Sequence, residues 1–227
     1  MWYLSDPPEL WSDWTRRYVE TEDPAPLFET DEELQVQVDT VGEDDRRVLQ
    51  RSDTMEIRLK VAGRKLVRDW TDGTDEYEGL ILLMYWLEDG EVVPIHVQRE
   101  HTTRSKSEAL NPHLQDLRGS RTVNFARWGD GLDHFIGGLS AVVFDQDAIQ
   151  RRRYRRWAAH IFAEGRQLDR PVYHMALPWH EDDEGPYFDY ELGLKQLEYQ
   201  IVSMAGELYE EMPLNEIREG TSAAEEA

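Results

Sequence analysis

The chain has 227 residues, of which 40% are apolar and 11% aromatic, enough for one sizeable core and too apolar for wholesale disorder. It has no cysteine, which excludes disulfides, thiolate metal sites and a cysteine nucleophile. The net charge of -22 excludes a surface uniformly attractive to nucleic acid, and dense carboxylates with only Lys60, Lys65, Lys106 and Lys195 as lysines suit a halophilic, high-salt interior.

Met1 to Asp6 lack a basic signal-peptide start, and the apolar run Leu80 to Trp86 is too short to span a bilayer, so a soluble cytoplasmic protein is expected. Glu9 to Glu20, with Trp11, Trp14 and Tyr18, predicts a short helix that stops at Asp23 to Pro26. Gln35 to Val38 alternates like a strand, and Arg46 to Val67 reads as a helix without a clean period. Gly79 to Trp86 and Val92 to Val97, joined through Asp89-Gly90, form the signal for a β-hairpin. Its first strand is apolar on both faces and is expected centrally in the sheet, whereas Pro94 pushes the second toward an edge.

A helix near Pro112 to Leu117 and a buried segment from Leu139 to Phe144 follow. Ile149, Trp157, Ile161 and Phe162 then mark one face of a helix whose opposite face carries most of Arg151 to Arg156. Arg170 to Pro178 reads as a strand, and Leu194, Leu197, Ile201, Met204 and Leu208 set a helix from about Asp189 to Glu210, which Pro213 ends. The run His180 to Glu184 reads as a solvated acidic loop, and Gly129-Asp130-Gly131 and Gly137-Gly138 as flexible backbone.

Charge is unevenly spread. Between Arg99 and Arg156, eleven basic residues face seven acidic ones, leaving +4 there and -26 elsewhere. Such an island suits a face that meets phosphate, though arginines pairing with acidic neighbours give the same count.

The order Gly79-Leu80-Ile81, His96-Val97-Gln98, a basic segment, Glu198 and Asn215 resembles the GIY-YIG nuclease superfamily. Tyr77 to Trp86, Phe125 to Gly131 and Ile136 to Ala141 are similar to an uncharacterised bacterial and archaeal GIY-YIG-like branch. The resemblance implies an α/β fold, a small mixed or antiparallel central sheet flanked by helices, over residues 76–218. Residues 1–75 would be an N-terminal extension or subdomain, and 219–227 a disordered acidic tail.

It also implies a metal-dependent endonuclease acting on DNA, possible roles being defence or restriction. Gly79 and Asn215 would be structural motif positions, and Glu198 would hold Mg²⁺ or Mn²⁺. Arg104, with Arg99 as its rival for the motif position, or Arg127 would stabilise the phosphate, while Arg99, Arg127, Arg152 and Arg155 would bind nucleic acid. Gln98 and Ile81 depart from the family pattern, since the first replaces a glycine and the second has no hydroxyl. His96, at the place of a tyrosine, has an imidazole able to accept a proton from water. The bland alternatives are a satisfied strand histidine at 96, a Glu198 paired with Lys195 or Arg218, and an Arg127 packed on Trp128. A degenerate GIY-YIG-like module that binds nucleic acid or protein is the rival reading. The nuclease reading requires Arg104, Arg127 and part of Arg151 to Arg156 to share a face with His96 and Glu198.

Overall fold

The computed structural model describes residues 6–74, 76–103, 109–115, 128–131, 134–145, 152–180, 182–187 and 193–209. Arg104, Arg127, Arg151, Asn215, Arg218 and the expected tail lie outside them. Helix α1 (Pro7–Tyr18) starts on prolines that need no N–H partner, and it buries Trp11 and Trp14. After the two-residue β1 (Ala25–Pro26), β2 (Val38–Val41) and β3 (Arg46–Leu49) form a small antiparallel hairpin.

The helix expected from Arg46 therefore starts later. Residues 46–49 pair with β2, burying Val48 and Leu49, and Ser52 caps α2 (Asp53–Asp72) by accepting the Met55 N–H at 3.0 Å. The cap lies inside a stretch with no clean period, so the strand before it and the helix after it merge when read by hydrophobicity alone.

The predicted hairpin is β4 (Tyr77–Glu88) and β5 (Glu91–His101). Its turn places Asp89 at φ 51° and Gly90 at φ 88°, the left-handed geometry that Asp-Gly favours. Helices α3 (Pro112–Gln115), α4 (Phe135–Val143) and α5 (Arg152–Ile161) follow, then the short β6 (Phe162–Glu164) and β7 (Gln167–Leu168). Strand β8 (Tyr173–His180) and helix α6 (Leu194–Tyr209) complete the described elements.

The main sheet has the order β1-β8-β4-β5 and is antiparallel throughout. Strand β4 is central and β5 is at an edge, as the hairpin's composition implies. Period-two alternation splits β4 between two cores. Leu80, Leu82 and Met84 enter one with Met55, Leu59 and Leu66 of α2, Phe135 and Leu139 of α4, and Trp157 of α5. Ile81, Leu83 and Tyr85 enter the other with Trp11 and Trp14 of α1 and Leu194, Leu197 and Ile201 of α6. The result is a mixed α/β fold with helices on both faces of an antiparallel sheet.

The N-terminal residues share these cores. Leu27 and Phe28 lie in the first, β1 pairs with β8, and the Trp11 Nε1–H donates to the Val92 carbonyl at 2.8 Å. The boundary expected near residue 75 thus runs through shared packing. The glycines near Trp128 also serve packing. A Cβ on Gly138 would collide with the Tyr154 ring, and one on Gly137 with the carbonyl oxygens of Asp130 and Gly131. Among the described residues, no helix is long and apolar enough to cross a membrane.

Candidate functional site

Cross-strand partners point to the same face of a sheet, so register decides which candidate residues meet. Ile81 pairs with Arg99, placing Arg99 on the α6 side. Met84 pairs with His96, placing His96 on the opposite side, against Trp157 and Phe135 with ring centroids at 4.8 and 6.4 Å. A bulge between Met84 and Tyr85 leaves Ile95 as an extra residue on β5, and Ile95 joins the same core as Met84.

On the α6 side, Arg99 Nη1 donates to Glu198 Oε2, joining the edge strand to the second turn of the helix. Both side chains are partly buried, at 29% and 25% exposure. Burial pushes the Glu198 carboxyl above the usual glutamate range, while Arg99 and then His101 pull against it without cancelling it. His101 stands two residues beyond Arg99, so it shares that face, and its Nδ1 lies 3.6 Å from Glu78 Oε1. Glu78 Oε2 in turn accepts the Leu194 N–H at 2.6 Å, tying the start of β4 to the first turn of α6. Burying the carboxylate end of this pair with its guanidinium attached avoids the large cost of an isolated charge.

Gly79 sets how closely these parts approach. A Cβ there would lie 2.7 Å from Leu194 Cδ2 and closer still to the Glu100 carbonyl oxygen, so only glycine lets β4, β5 and α6 meet as they do. The Asn111 side chain fastens the far end of β5, donating to Glu100 Oε1 and, at 3.0 Å, to the His101 carbonyl.

The structure therefore joins Arg99 to Glu198 and separates both from His96. The expected single face containing His96 and Glu198 does not form, because His96 belongs to the first core. His174 pairs with Met84 from the other neighbouring strand, and burial pushes its pKa down to about 3, a neutral core imidazole. The basic island is divided as well. Arg99 stands beside α6, whereas α5 packs its Tyr154 and Trp157 into the first core and exposes Arg152, Arg155 and Arg156. Arg153 instead lies over Tyr154 and Trp157, 4.7 and 5.1 Å from their centroids.

Sequence reasoning missed His101 and Glu78. The usable signal was parity: on one strand, His96 and Arg99 are an odd step apart and cannot share a face, but Arg99 and His101 can. No family model, curated protein or solved structure matches the chain.

Proposed function

We propose that the β5–α6 edge is the active site of a divergent GIY-YIG-like endonuclease that hydrolyses DNA phosphodiester bonds. The observation that carries the reading is the Arg99–Glu198 contact, which joins a phosphate-binding residue type to a metal-binding one across 99 residues of sequence. A hard divalent cation keeps several waters and is commonly held through one or two carboxylates with substrate phosphate, so the partly buried Glu198 suits Mg²⁺ or Mn²⁺. When bound, the metal supplies charge stabilisation on the phosphate.

Glu198 is the anchor, and its ionised form is the competent one. Arg99 presents a planar fork of donors to the phosphate oxygens once substrate competes with Glu198 for it. His101 takes the proton of the attacking water as the water oxygen bonds to phosphorus and the bond to the leaving sugar oxygen breaks. A binding module without catalysis is favoured by two features: Ile81 is fully buried at the place of a tyrosine, and His96 faces the wrong core.

The test is nicking of supercoiled plasmid in high salt with Mg²⁺ or Mn²⁺. The wild type is expected to cut, and Glu198→Ala and Arg99→Ala are each expected to lose about 100-fold or more. His101→Ala should lose about 100-fold in rate, while His96→Ala should change stability more than cleavage chemistry. Burial holds the Glu198 carboxyl above the usual glutamate range, and protons compete with the metal for it, so raising Mg²⁺ should move the acidic limb of the pH profile to lower pH. Undiminished cutting by Glu198→Ala overturns the assignment. Retention of DNA without cutting by the wild type establishes the binding module.

A further inference from the structure

Helix α2 packs Met55, Leu59, Ala62 and Leu66 into the first core. Its opposite face is unusual for so acidic a chain. Ile57 and Val61, one turn apart, are 61% and 52% exposed. Asp53 precedes them and Arg64, Lys65 and Arg68 follow, all exposed. None of these three cations has an ion-pair partner among the described residues. At 3.6 residues per turn, Asp53, Ile57, Val61, Arg64 and Arg68 fall within an arc of about 80°. The stripe therefore reads acid, apolar, apolar, base, base along the helix.

Such a stripe complements its own reversal. We infer that a second copy of this chain docks here, its α2 antiparallel to the first across a two-fold axis at Val61. Asp53 then faces Arg68 of the second copy, and Ile57 lies under the aliphatic stems of Arg64 and Lys65. The two Val61 side chains meet at the axis, and the helix dipoles oppose. This arrangement is isologous, as a two-fold contact must be. Nucleic acid fits less well, because the middle of the stripe is apolar where phosphate would need donors. A single helix stripe buries less than the roughly 800 Å² per partner of a standard interface, so the dimer is reversible and depends on concentration. Two bodies each of charge -22 repel at low salt, and the repulsion collapses once the screening length falls to about 3 Å near 1 M salt.

Sedimentation velocity of the full chain, up to about 0.5 mM protein and from about 0.1 to about 2 M NaCl, tests the inference. A dimer that strengthens with salt is expected. Val61→Glu, at an exposed position that should not impair folding, should weaken association by at least about tenfold. Asp53→Arg and Arg68→Asp should each weaken it at moderate salt, and the double charge swap should restore it. Circular dichroism checks that each variant keeps its helices. A wild type monomeric at every condition overturns the inference, as does a dimer indifferent to Val61→Glu or a double swap no better than the singles. A monomer whose DNA binding falls when Arg64, Lys65 and Arg68 are replaced by alanine assigns the stripe to nucleic acid and also overturns it.

Discussion

At the scale of single residues, Gly79 has little room to change. The Glu100 carbonyl and Leu194 Cδ2 occupy the space that any side chain would need. Gly79→Ala is expected to cost about 1–3 kcal/mol in urea unfolding, because β4 must move away from β5 or α6 from both. It should also disturb the Arg99–Glu198 contact, which the same approach positions. An alanine variant as stable as the wild type would show that α6 yields freely. Motif order singled out Gly79 and Glu198, and Arg99 only as a rival to Arg104. Their grouping was not legible, because parity along β5 decides it and a motif string carries no face. His101 illustrates the point, as an isolated histidine gains meaning only when Arg99 is known to point toward α6.

At the scale of elements, the join between α2 and β4 rests on Asp69, a carboxylate only 6% exposed. It accepts the Thr74 hydroxyl and the N–H groups of Glu76 and Tyr77, the latter two at 2.9 and 3.1 Å. Burial pushes its pKa up, but these bonds outweigh burial and hold it below the usual aspartate range. A depressed folded value means that the bonds stabilise the fold fully above the unfolded pKa and are lost as pH falls through the folded one. Asp69→Asn should therefore destabilise by about 1–3 kcal/mol near neutrality, with the gap to wild type closing in acid. A gap independent of pH in thermal melts would count against the ionised bonds. Elements with a strong period or a diagnostic turn were readable in advance: α1, the β4–β5 hairpin, β8 and α6. Residues 46–52 were not. Their strand is four residues long and stabilised by pairing with β2, a tertiary influence that local propensity does not reveal.

At the scale of the whole molecule, the charge of -22 works against compactness, since folding gathers the carboxylates that an open chain keeps apart. Raising NaCl from about 0.1 to about 2 M should lift the melting temperature by at least about 5 °C. A flat or falling trend would mean that the charges are already balanced locally. The sheet order has a consequence for how the chain is made. Strand β8 lies between β1 and β4, and Ala25 pairs with His174 across most of the sequence. During synthesis from the N-terminus, the β4–β5 hairpin emerges well before its neighbour and must wait with one long apolar edge of β4 bare. An unpaired edge of that kind is a template for joining another nascent chain.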